Sequence, residues 1–100
     1  MAQNVNYYIS RVRYNLQETH IEKVEVYGIS NESLTSPSEW TRQQVISTIE
    51  RGYIIMTMYK RNGKWEQGEH VRVITVNGVK YIRTDSNNSP KDNLGNLPRF

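Results

Sequence analysis

The chain reads as an α+β domain: a small antiparallel sheet of about five strands with one helix packed on it, in the order ββαβββ. Three observations predict this. Five short segments are rich in Val, Ile, Tyr and Met, the residues that pack well on a pleated surface. Only one segment carries apolar residues at helical spacing between a start signal and a stop signal. Asn-Gly pairs at 62–63 and 77–78 lie between apolar runs, and both residue types tolerate the positive φ of a tight hairpin turn.

The elements follow in order. Residues 6–15 (NYYISRVRYN) read as a strand, with strict alternation placing Tyr8, Ser10, Val12 and Tyr14 on one face and Ile9, Arg11 and Arg13 on the other. Residues 20–29 (HIEKVEVYGI) read as its hairpin partner, and 30–38 as a loop rich in Ser, Asn and Pro. Thr41 and Gln44 make a capping box, Trp40 and Val45 occupy the positions of a hydrophobic staple, and Val45, Ile46 and Ile49 share a face. Gly52 supplies the left-handed stop, so the helix spans about 42–51. Ser36, Pro37 and Glu39 offer a competing start, but the apolar spacing begins after Thr41. Residues 53–59 (YIIMTMY) read as a buried strand, with the Met56 and Met58 side chains in the core, and 70–76 and 79–84 as a hairpin about Asn77-Gly78.

The 100 residues fit one domain, 1–100, with a flexible stretch at 1–5 and an irregular tail at 85–100 docked on the body through Leu94 and Leu97. Ser89, Pro90 and Asp92 suggest one helical turn in that tail, ended by Gly95. An apolar fraction of 36% with 23% charged residues excludes a wholly disordered chain and a helical membrane protein. No apolar run approaches the ~18 residues of a spanning helix, and the N-terminus lacks a basic head followed by an apolar stretch. With no cysteine there is no disulfide framework or thiolate zinc site, and the expected compartment is the cytoplasm.

Catalysis is poorly supplied. The two histidines, His20 and His70, each begin a strand, far apart in sequence and outside any motif that would pair a nucleophile with a base or gather metal ligands. Asp85, Ser86, Asn87 and Asn88 match a calcium loop only at its start and lack its glycine and its bidentate glutamate. No phosphate-binding glycine loop is present. The expectation is therefore a binding module with no enzymatic activity, no cofactor and no metal.

The register carries the sharpest functional expectation. A two-residue loop at Asn77-Gly78 pairs Val76 with Val79, Ile74 with Tyr81, and Arg72 with Arg83. Two arginines directly opposite repel unless something neutralises them. An anion would do so, and Tyr81 on the same face would stack a base. Arg11 and Arg13 repeat the pattern on the first strand. The net charge of +3 leans the same way. The expected ligand is a nucleotide or nucleic acid held by Arg72, Arg83, Tyr81, Arg11 and Arg13. An internal carboxylate such as Asp85 or Asp92 is the alternative source of neutralisation. The alternative function is a protein-interaction or inhibitory accessory module, with tyrosines and an exposed strand edge as the contact and a monomer or homodimer as the assembly.

The run Gly78-Val79-Lys80-Tyr81-Ile82-Arg83-Thr84-Asp85, followed by Asp92-Asn93-Leu94-Gly95-Asn96-Leu97-Pro98, resembles the C-terminal signature of a small bacterial family of unknown function. Trp40-Thr41-Arg42 before the helix and Val12-Arg13-Tyr14 in the first strand fit the same family. The resemblance implies a compact single domain of bacterial or phage origin and brings no activity or site residue with it.

Overall fold

The computed structural model describes residues 5–85 and 90–100. The start of the N-terminal stretch, the calcium-like run from Ser86 and the Ser89 cap lie outside them. The elements are β1 (Tyr7–Tyr14), β2 (Ile21–Ser30), β3 (Ser33–Leu34), β4 (Ser38–Thr41), α1 (Arg42–Glu50), β5 (Ile55–Arg61), β6 (Lys64–His70), β7 (Arg72–Val76) and β8 (Val79–Arg83). This is the expected small α+β fold. No helix among the described residues is long and apolar enough to cross a membrane.

The main sheet has the order β3-β2-β1-β5-β6, with β4 also on the outer edge of β2, while β7 and β8 form a separate hairpin. The sheet is mixed and not purely antiparallel, because β5 runs parallel to β1 over Tyr7–Ile55, Tyr8–Met56 and Ile9–Thr57. A parallel neighbour needs a long crossover, and α1 lies within the connection that brings β5 back beside β1.

Local chemistry explains the elements that were legible. Thr41 Oγ1 accepts from Gln44 N, and the Gln44 side chain accepts from Thr41 N, which closes the capping box. Gly52 at φ 95° ends the helix. Asn62 and Gly63, and Asn77 and Gly78, all have positive φ and close the β5–β6 and β7–β8 hairpins. Three strands were not expected. β6 (KWEQGEH) is polar because it is a sheet edge, and β3 and β4 are short edge segments within the stretch read as a loop. The turn between β2 and β3 places Asn31 and Glu32 at positive φ.

The first strand departs from strict alternation. Ile9 pairs with Val26, but Arg11 pairs with Glu25 and Val12 with Val24, so Ser10 is an extra residue in a β-bulge. Glu25 holds the bulge by accepting from Ser10 Oγ at 2.7 Å and from Arg11. The phase shift puts Ile9 and Val12 on one face, and leaves Tyr8 and Arg11 on the other.

The larger core lies on the Ile9 face. It joins Ile21, Val24, Val26 and Ile55 of the sheet to Val45 and Ile46 of α1, Ile82 of β8, and Leu94 and Leu97. Tyr8, Met56, Met58 and Val5 form a second cluster on the opposite face, flanked by Tyr27 and Trp65.

Residues 90–100 are irregular and contain no helical turn. Their backbone is used by the body instead. Asn93 N donates to Ile82 O and Thr84 N to Asn93 O, so the segment runs beside β8. Val12 N donates to Pro98 O, and Phe100 N to Val12 O, extending the edge of β1 beyond the reach of β5. Asp92 is the anchor. Its Oδ2 accepts from Ile21 N at 2.8 Å and Arg42 Nε at 2.6 Å, and its Oδ1 accepts from Ile82 N at 2.9 Å. The Arg42 guanidinium also donates to Lys80 O.

Two substitutions test this packing. Asp92→Ala leaves Arg42 and two buried amides without their acceptor, and its expected cost is about 3 kcal/mol, in the range for breaking a buried pair. Urea denaturation measures it, and a loss under about 1 kcal/mol contradicts the anchoring role. At Gly68 a Cβ would lie 2.3 Å from Thr57 Oγ1 and 3.2 Å from Thr57 O. Thr57 Oγ1 accepts from Glu69 N, which restrains it from moving aside. Gly68→Ala should therefore cost about 1–3 kcal/mol by overpacking, read from the same denaturation curves.

Candidate functional site

The β7–β8 register is the one expected: Arg72 faces Arg83, Ile74 faces Tyr81, and Val76 faces Val79. The repulsion between the arginines is answered from within the chain. Arg83 is 4% exposed, its Nε and Nη2 donate to the Asp85 carboxylate at 2.7 and 3.0 Å, and its Nη1 donates to Lys91 O. The bond to Asp85 raises its pKa against the opposing effect of burial. Tyr81 is buried, stacked on His20 and lying under Arg42. Arg72 is exposed.

Arg11 and Arg13 stand elsewhere, on the opposite face of the main sheet. Arg11 forms a two-point pair with Glu25, at 3.1 and 2.5 Å. Arg13 Nε donates to Phe100 O at 2.9 Å, and both guanidinium groups lie against the Phe100 ring. The five expected site residues therefore divide between two surfaces and do not converge.

What converges around Arg11 is a groove. β1 and β5 pair only as far as Ile9 and Thr57, and beyond that point the tail takes the place of β5 beside β1. The fork encloses a volume of about 320 Å³ lined by Ser10, Arg11, Glu25, Tyr27, Tyr59, Lys60, Trp65 and Pro98. The Tyr27 and Trp65 rings lie 5.5 Å apart at 60°, and Lys60 Nζ is 5.0 Å from the centre of the Trp65 ring. Arg11 keeps 44% of its side chain exposed despite its pair with Glu25. Chemically the groove offers aromatic surface beside Lys60 and the Arg11–Glu25 pair, with Arg11 partly exposed, a composition that can take a flat ring bearing negative charge.

Sequence reasoning found Arg11 but missed Tyr27, Lys60 and Trp65 as a group. The signal was the Asn62-Gly63 turn, which sets Lys60 opposite Trp65 across β5 and β6. The histidines stay apart: His20 Nδ1 is 4.0 Å from Asp92, and His70 pairs with Met56. Among the described residues no group of three His, Cys, Asp or Glu side chains gathers to hold a metal.

The family model described as protein of unknown function (DUF3892) matches residues 8–98, and the chain belongs to that family. No curated protein and no solved structure matches the chain.

The Arg11 hydrogen bond, helped by Ser10, lowers the Glu25 pKa below its ordinary value and so outweighs desolvation. A carboxylate whose pKa falls on folding contributes stability that is complete above the ordinary glutamate pKa and is lost as the pH drops through the lowered value. Glu25→Gln should accordingly flatten the acid limb of the stability-versus-pH curve, measured by denaturation between pH 7 and about pH 3. An unchanged acid limb contradicts the assignment.

Proposed function

We propose that this member of the DUF3892 family is a non-enzymatic binding module that holds a nucleotide or a single nucleic-acid strand in the fork between β1 and β5. The observation that carries this reading is the Tyr27–Trp65 ring pair set between Lys60 and Arg11 in one groove. A base stacks on an exposed aromatic without regard to its hydrogen-bonding edge, and neighbouring cations take the phosphate. Arg13 and Lys23 are paired with each other across β1 and β2 on the same face and add two cations there, Lys23 being 3.8 Å from the Glu39 carboxylate. The open end of a parallel strand pair is also where a sheet leaves room for a ligand.

The protein-interaction reading has less support. Strand addition works through the free backbone groups of a sheet edge, and on β6, an edge of the main sheet, Lys64, Glu66 and Glu69 are charges of the kind that discourage such pairing. The arginine pair of β7–β8 carries less of the binding argument than the fork: both Arg83 and Arg11 are held by a carboxylate, but Arg83 is also buried, whereas the Arg11 side chain stays 44% exposed.

The reading is tested with a fluorescent oligothymidylate of about ten nucleotides, followed by anisotropy at several salt concentrations. Trp65→Ala should weaken binding by about ten- to a hundredfold, in line with about 1–3 kcal/mol per stacked base. Lys60→Gln should reduce the slope of log K against log salt by about 0.7, the loss of one phosphate contact on a single strand. Arg72→Ala should change neither. Equal affinity of wild type and Trp65→Ala, with the fold intact by circular dichroism, removes the groove as the site.

A further inference from the structure

A second pocket lies across the sheet from the groove, and its lining carries no charged side chain. Its core is Tyr7 at the start of β1. The Trp40 ring meets it edge-on at 4.7 Å and 62°, and the Tyr53 ring at 6.2 Å and 68°. All three rings line one pocket of about 370 Å³. Neither contact is a face-to-face stack; in each the edge of one ring lies toward the face of the other, so the rings meet as angled walls. Tyr7 and Trp40 also pack against the larger core, and Tyr53 is the exposed ring of the three. Gly28, opposite Tyr7 in the β1–β2 register, leaves room in the wall. A Cβ there would come within 3.3 Å of Thr35 Oγ1 and 3.8 Å of the Tyr7 ring. A glycine inside a strand marks such a place of close approach.

The charge around these rings is the decisive feature. Four other rings of this protein have one of its own cations over a face. Arg11 and Arg13 lie over Phe100, Arg42 over Tyr81, Lys60 over Trp65, and Arg99 over Tyr14. Among the described residues no lysine or arginine sits over Tyr7, Trp40 or Tyr53, and no ionisable acid or base other than the two tyrosines lines their pocket. Aromatic faces attract cations through their quadrupole, most strongly when the cation is poorly hydrated and water is excluded. The volume suits a small molecule. Ser38 and Thr35 are among the lining residues and would meet a polar end group.

We propose that the Tyr7–Trp40–Tyr53 pocket is an aromatic cage for a small quaternary ammonium compound, a trimethylammonium group carrying a short polar arm. The proposal stands on rings, residues and a face of the sheet different from those of the groove, so it holds or fails independently of nucleic-acid binding.

The test is titration of the intact protein with choline and with 3,3-dimethylbutan-1-ol, its uncharged isostere, followed by two-dimensional NMR at the Trp40 indole N–H and the Gly28 amide. Choline should give saturable shifts at both reporters, and the isostere should bind at least tenfold more weakly because it lacks the charge. Tyr53→Ala removes a ring that is 45% exposed, so the fold should persist while choline affinity falls about tenfold or more. Tyr53→Phe should retain most of the affinity, since the ring face does the binding. Equal binding of the isostere overturns the proposal by showing a merely apolar pocket. Absence of saturable shifts up to 100 mM choline, or unchanged affinity in Tyr53→Ala, overturns it as well.

Discussion

The Asp92 carboxylate is the interaction on which the rest of the arrangement depends. It lies in a segment without regular structure, yet it joins the first residue of β2, the last residue but one of β8 and the first residue of α1. A buried carboxylate is costly unless its oxygens are hydrogen-bonded and its charge is matched. Here two backbone amides and the Arg42 guanidinium meet that requirement. The consequence is geometric. Among the described residues no strand ladder joins the β7–β8 hairpin to the main sheet, so it is held over α1 by burial of Ile82 and packing of Val73, by the Asp92 connection, by the Arg42 bond to Lys80 O and by the Lys80–Glu50 ion pair. Burial of Leu94 and Leu97 then fixes the tail between Asp92 and Pro98.

That tail also completes the sheet. β1 is bonded on one side along its length by β2, but on the other side β5 reaches only its first residues. Pro98 and Phe100 satisfy the Val12 backbone where β5 has turned away. Unpaired backbone groups in a central strand would otherwise be a liability. The divergence of β5 from β1, with a tail residue filling the space, is what creates the fork and its groove. The bulge at Ser10 and Arg11 has a related effect. By inserting one residue, it keeps Ile9 and Val12 together in the core and turns Arg11 outward beside Glu25.

The two faces of the sheet consequently differ in kind. Near the fork, aromatic rings are accompanied by Lys60 and Arg11, and the surface suits an anion bearing a flat ring. At the start of β1, three rings stand without a protein cation, and the surface suits a positive group. One short chain of modest net charge thus carries one pocket lined by charged side chains and one lined by none, a distinction that the overall charge of +3 conceals.

Much of the local structure follows from short-range chemistry written in adjacent residues. The Thr41–Gln44 box and Gly52 bound the helix, and the Asn-Gly turns set the two hairpins, because caps and tight turns are decided by groups only a few residues apart. The Arg72–Arg83 pairing belongs to the same class, since a two-residue loop leaves one register. Tertiary structure alone decided the remainder. Nothing local requires β5 to lie parallel to β1, because that pairing depends on where the helix deposits the chain. The polar sequence of β6 gives no strand signal, since an edge strand needs burial on little of its surface. The bulge at Ser10 is invisible to alternation because Glu25, fifteen residues away, stabilises it. Whether Arg83 is free or bound, and which aromatic rings share a pocket, depends likewise on contacts between distant segments. Charge and stacking act through space, and the position of each partner in space is known only once the chain has folded.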